Sequence, residues 1–187
     1  MPSTSSLRTP QLAHIALILP LCTSSVSVGL SLFQYPLFLS FLKPGDQPNT
    51  SNKSIAGKPL TRFWAPFVKS GGALVVNTCL TSAAAGLFAS RWLRSHKTLE
   101  TTNIGNWYFY GALFAAGHLL FAPIVSGPVG RIASVGCESH DNEEEVDAWN
   151  RKEMKRWLNW HTIRTLVVDL PALICFAEGA AQSFWVI

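Results

Sequence analysis

Four apolar runs separated by polar stretches organise this chain. They cover residues 12–42, 64–93, 104–125 and 157–187. A helix needs about twenty residues to cross a bilayer, and each run reaches that length. The first holds only small polar residues apart from Gln34 and His14. Arg8 followed by an apolar core and the small residues 24–27 also suits a cleaved signal segment. The run continues well past any cleavage point, however, which favours a span containing Pro20 and Pro36 as possible kinks. The pattern predicts an all-α integral membrane protein of one domain, an antiparallel four-helix bundle with both termini on one side.

The connecting stretches differ in kind. Residues 43–61 form a Pro/Gly/Asn/Ser-rich loop, and a short loop follows the basic end of the second run, Arg91, Arg94 and Lys97. Pro123 and Gly127-Pro128 close the third run. One long hydrophilic loop, residues 131–156, then joins helices 3 and 4, with an acidic cluster (Glu143, Glu144, Glu145, Asp147) ahead of a basic one (Arg151, Lys152, Lys155, Arg156). Asp147 and Arg151 stand four apart, the spacing of a helical ion pair, which predicts a solvated helix leading into the last span. Ser82, Gly86 and Ser90, and likewise Gly111 and Ala115, recur every four residues as stripes that let a neighbouring helix approach closely.

Composition agrees with a membrane location: 48% hydrophobic, only 14% charged, seven Trp suited to headgroup depth, and a mean hydropathy of +0.22. The net charge of +4 does not signal nucleic acid, because the basic residues form short clusters at helix ends rather than one face. Cys22, Cys79, Cys137 and Cys175 show neither disulfide nor zinc spacing and read as small packing residues. Orientation is open. Lys and Arg are more numerous on loops one and three, which places those loops in the cytoplasm, whereas the sequons at Asn49 and Asn52 would make loop one lumenal and glycosylated.

Candidate chemistry lies in ionisable residues inside apolar runs, where each costs several kcal/mol and is rarely idle. His118 sits mid-way along the third run; His161, Arg164, Asp169 and Glu178 belong to the fourth. Near-neutral pKa suits either histidine to act as a base. His161, Arg164 and Thr165 share a helix face by their spacing, whereas Arg164 and Asp169, five apart, look for partners on other spans or on a ligand. Two His and a carboxylate match a non-haem iron triad in type but not in spacing. No nucleotide-binding loop, HExxH or nucleophile elbow is present, so no metal and no cofactor is expected.

Three segments resemble the anthrone oxygenase family, small four-helix membrane proteins of fungal aromatic polyketide pathways: Gly29-Leu-Ser-Leu-Phe-Gln-Tyr-Pro-Leu, Trp64 to Gly71-Gly72, and Trp157-x-x-Trp-His-x-x-Arg-x-x-x-Val-Asp-x-Pro-Ala. The resemblance covers residues 15–187, and its last segment is the most specific. It implies oxidation of an anthrone to an anthraquinone by molecular oxygen, in an endomembrane such as the endoplasmic reticulum, with other pathway enzymes as possible partners. On that basis His118 or His161 is the base, Arg164 with Asn77 stabilises the enolate, and Asp169 orients a His or Arg. Trp107 and Trp160 would wall a planar aromatic substrate arriving from the lipid bilayer. The alternatives are a non-catalytic scaffold or transporter subunit, and an isomerase or cyclase of another hydrophobic metabolite.

Overall fold

The computed structural model describes residues 8–42, 57–134 and 142–186. Among them every regular element is helical, in four stretches. The first is α1 (Arg8–Leu42) and the second α2 (Lys58–Ser95). The third joins α3 (Leu99–Gly117), a 3₁₀ turn (His118–Phe121) and α4 (Ala122–Ser134). The fourth joins α5 (Glu143–Arg164), a π-helical turn (Thr165–Asp169) and α6 (Leu170–Val186). Asn49, Asn52 and Cys137 lie outside the described residues.

Three of these stretches, His14–Leu42, Lys58–Ser95 and Leu99–Ser134, are long and apolar enough to cross a membrane. The fourth differs from an uninterrupted span over 157–187. Its α-helical part after the π turn has 17 residues, about 25 Å at 1.5 Å per residue. Three further expectations are corrected. α2 starts at Lys58, inside the stretch read as loop. The third run does not close at Pro123 and Gly127-Pro128: α4 continues to Ser134. Pro123 follows directly on the 3₁₀ turn at the start of α4, and Pro128 lies inside α4 and is buried. The helix expected within the hydrophilic segment 131–156 is α5, which begins at Glu143, so the connection between α4 and α5 is shorter than the long loop expected. That helix is solvated on one side only; Val146, Asn150, Glu153 and Met154 are buried. The Asp147–Arg151 pair forms at 2.7 Å.

Large apolar side chains cover much of the helix surface. On α1, Ser24, Ser27 and Ser31 are buried together with Leu17, Val28 and Phe38, while Ile15, Leu19, Val26, Leu32 and Phe33 are exposed. Lipid removes the reason to bury large apolar side chains and makes polar ones seek partners inside. Thr23 and Ser82 accordingly share a hydrogen bond at 2.7 Å.

The chain divides into two units. The first comprises Met1–Val28, Val76–Leu119 and Thr165–Ile187. Its core is small-residue packing around one ring: Phe176 of α6 fills the space left by Gly86 of α2 and Gly111 of α3, and a Cβ on either glycine would lie 2.6 Å from the ring. The predicted stripes at Ser82/Gly86/Ser90 and Gly111/Ala115 are therefore packing surfaces, with Ser82, Ser90 and Ala115 buried. Tyr108 is fully buried and donates to the Leu17 carbonyl at 2.9 Å.

The second unit comprises Gly29–Val75 and Leu120–Arg164. Its core is aromatic, with Phe38, Trp64 and Trp157 edge-to-face at centroid distances of 5.0, 5.1 and 5.3 Å. Each such pair contributes about 0.5–1.5 kcal/mol beyond its buried area. Around this core Trp64 donates to the Val129 carbonyl at 3.2 Å, Asn150 to the Gly57 carbonyl at 3.2 Å, and Arg131 pairs with Glu153 at 2.8 Å.

Gly111→Ala should cost about 1–3 kcal/mol by overpacking against Phe176. Gly72→Ala, where a Cβ meets nothing within 4 Å, should be neutral or stabilising by up to about 1 kcal/mol. Thermal unfolding in detergent micelles checks the contrast; equal effects would contradict the close glycine packing.

Candidate functional site

Two irregular turns meet at one buried pair. The 3₁₀ turn begins at His118 and the π turn ends at Asp169. His118 Nδ1 lies 2.7 Å from Asp169 Oδ1. His118 is 6% exposed and Asp169 4%, both within the first unit. π turns insert a residue into the helical ladder and occur often at functional sites. Here the turn carries Asp169 inward while Leu166 and Val167 remain exposed. Just before His118 stands Gly117, where a Cβ would make ordinary contact, 3.7 Å, with Val168 of the π turn.

The chemistry of the pair follows from donor and acceptor roles. An ionised carboxylate only accepts, so Nδ1 carries a proton, and in the neutral form of the ring the lone pair is then on Nε2. A neutral imidazole held in this tautomer by a buried carboxylate is the arrangement of a general base. The carboxylate fixes the ring and stabilises the imidazolium that forms on proton uptake.

His161 and Arg164 form a second cluster, in the second unit. His161 is fully buried and its Nε2 lies 3.0 Å from the Ser31 carbonyl oxygen. Arg164 Nη2 reaches His161 Nδ1 at 2.8 Å and Ser31 Oγ at 3.2 Å. The Trp157 ring stacks on the imidazole at 4.8 Å and 16°, and the Tyr35 ring packs at 5.1 Å. Tyr35 also donates its hydroxyl proton to Thr162 Oγ1 at 2.8 Å. The i, i+3 spacing foretold the His161–Arg164 contact. Ser31 and Tyr35 carried no signal of their own, although both lie in the Gly29-Leu-Ser-Leu-Phe-Gln-Tyr segment.

His118 thus contacts Asp169 within the first unit, and His161 contacts Arg164 within the second. Asn77 and Trp107 are exposed, Trp160 is half-buried, and Tyr108, next to Trp107, is buried in the core. Glu178 is exposed and accepts from Gln182 at 2.7 Å. Among the described residues no group of three or more His, Cys, Asp or Glu could hold a metal ion.

These features define a small helical protein with membrane-length, apolar-faced helices and ionisable pairs buried inside. Three named fungal proteins are similar to it. Epoxidase gkaX of Penicillium citrinum is 35% identical over 86 residues, 46% of this chain and 47% of that protein. Epoxidase pydX of an Acremonium species is 26% identical over 174 residues, 89% of this chain and 92% of that protein. Probable epoxidase scpX of Mollisia scopiformis is 29% identical over 89 residues, 48% of this chain and 50% of that protein. The match thus spans about half the length of the first and third relatives and nearly all of the second. No family model matches the chain, and no solved structure matches it.

Leaving one member of a buried hydrogen-bonded pair without its partner costs about 1–3 kcal/mol, more for a charged group, whereas replacing both with apolar residues is nearly neutral. Asp169→Leu or His118→Phe alone should destabilise strongly, and the double variant should recover most of the loss. Unfolding in micelles measures this; a double variant no better than the weaker single one would contradict the pairing.

Proposed function

We propose that the chain is a membrane-bound oxygenase of a hydrophobic conjugated metabolite, with His118 as the base and Asp169 as the residue that positions it. The observation that carries this is the 2.7 Å His118–Asp169 contact, buried within an all-helical, apolar unit. The name epoxidase shared by the three fungal relatives favours oxygen insertion over a purely structural role. A substrate dissolved in lipid accounts for a small enzyme built from membrane-length helices in an antiparallel four-helix bundle, placed in an endomembrane near the enzymes that supply its substrate.

The electrons come from the substrate. His118 Nε2 takes a proton from an acidified C–H or O–H, leaving a conjugated anion. That anion passes one electron to O₂, and the radical pair combines to a peroxide. In an anthrone, as the resemblance implies, the hydroperoxide loses water and leaves the quinone. In a substrate with a neighbouring conjugated double bond, as the relatives' names imply, the distal peroxide oxygen closes an epoxide. The O–O bond breaks and the remaining alkoxide takes up the proton. Both outcomes balance without an outside reductant, and both begin at the same base.

Membranes from a host expressing the protein should oxidise emodin-type anthrone or a conjugated polyene enone faster than control membranes. Under ¹⁸O₂ the anthrone route places one labelled oxygen in the product and the hydroxy-epoxide route two. At equal abundance His118→Ala and Asp169→Asn should lower the rate about a hundredfold or more. Background rates with both substrate classes would remove the oxygenase assignment, and full activity in both variants would remove His118 as the base.

A further inference from the structure

The second cluster invites a simple assumption: His161, being buried and close to a charged group, is another acid or base. Its geometry says otherwise. The Ser31 carbonyl can only accept, so the 3.0 Å contact requires a proton on Nε2. The guanidinium of Arg164 can only donate, so the 2.8 Å contact requires a lone pair on Nδ1. Both conditions hold for one species, the neutral Nε2–H imidazole. A second proton would set an N–H of an imidazolium against an N–H of a guanidinium, two positive charges at hydrogen-bond distance inside a fully buried site. The ring is also clamped: Trp157 of α5 stacks flat on it, and Tyr35 of α1 packs against it. Tyr35 is itself tied to Thr162, whose hydroxyl donates to the Leu158 carbonyl at 2.9 Å. The groups facing His161 thus include Ser31 and Tyr35 of α1 and Trp157 and Arg164 of α5, and Arg164 is the cation among them.

We propose that His161 is a positioning residue: a permanently neutral imidazole that, together with the Ser31 hydroxyl, aims the Arg164 guanidinium. Arg164 is then the functional group of this cluster. A guanidinium Nη2 has two N–H bonds set in a plane. His161 Nδ1 and Ser31 Oγ fix the direction of that edge at 2.8 and 3.2 Å. The plane of the guanidinium as a whole follows, which is the condition for an arginine to meet an oxygen in a preorganised way rather than by a mobile charge. The spectroscopic part of this claim stands alone; the activity part rests on the oxygenase reading above.

Two measurements test it. In the full chain in micelles, with ¹⁵N-labelled histidine, the resonance that vanishes in His161→Asn should show the neutral Nε2–H tautomer unchanged from about pH 5 to 8, a range in which an ordinary histidine titrates. A His161 that titrates there, or that carries its proton on Nδ1, overturns the proposal. For activity, side-chain geometry separates the two roles. Asn places an acceptor near the Nδ1 position but cannot reach the Ser31 carbonyl. Gln reaches that carbonyl with a donor but leaves Arg164 without its acceptor. Positioning of Arg164 predicts that His161→Asn keeps the rate within about threefold while His161→Gln and Arg164→Lys lose about a hundredfold, the scale of a misplacement near 1 Å. A merely structural histidine predicts the reverse order, Gln above Asn, with rates following thermal stability. Ser31→Ala, which removes one acceptor and leaves the backbone carbonyl, should give an intermediate loss even if the histidine variants fold poorly; an unchanged rate there counts against the proposal. A wild type without activity removes the oxygenase reading instead and leaves the nitrogen spectrum to decide this one.

Discussion

A carboxylate held against an imidazole inside an apolar helical unit is the constraint around which the first unit is arranged. A carboxylate as buried as that of Asp169 cannot be left ionised and unpaired without a penalty of several kcal/mol. His118, 2.7 Å away, both relieves that penalty and acquires a fixed tautomer from it. The helices give up regularity to make the contact: one tightens into a 3₁₀ turn at His118 and the other loosens into a π turn ending at Asp169. Leu166 and Val167 of the π turn and Leu120 of the 3₁₀ turn face outward, while Thr165 and Val168 are buried beside Asp169.

The rest of that unit supplies the rigidity such a pair needs. Phe176, seated between Gly86 and Gly111, holds α6 against α2 and α3 with no room for a single methyl group. Buried Ser, Thr and Tyr hydroxyls find partners within the unit, as Tyr108 does at the Leu17 carbonyl. The second unit uses a different solution, a cluster of tryptophan and phenylalanine rings. Within it the imidazole of His161 is stacked on Trp157 and bonded through both nitrogens. Two histidines of this chain thus meet opposite surroundings: His118 faces the Asp169 carboxylate and His161 faces the Arg164 guanidinium.

Much of this was legible in the residues themselves. An Asp or His inside an apolar run announces itself by its cost, and His118, His161, Arg164 and Asp169 all stood out in that way. Small-residue spacing located the faces of α2 and α3 that pack, and the i, i+3 interval joined His161 to Arg164. The pairing of His118 with Asp169 was not legible, because it joins positions 51 apart and depends on a π turn that α-helical periodicity does not anticipate. Ser31 was hidden for a different reason: a lone serine in an apolar helix is common, and only the carbonyl and hydroxyl it presents to His161 and Arg164 distinguish it. Pro123 and Pro128 misled for a third reason. Proline disfavours helix interiors in general, yet Pro123 follows the 3₁₀ turn and Pro128 is buried inside α4 with the helix continuing to Ser134.

If His118 and Asp169 act as one base, their contributions to the rate cannot be independent. A double-mutant cycle on the oxidation rate, using His118→Ala, Asp169→Asn and the two together at matched abundance, measures this directly. The account predicts that the double variant is no slower than His118→Ala alone, because the carboxylate has nothing left to position. Losses that multiply, each substitution acting as though the other residue were intact, would contradict it.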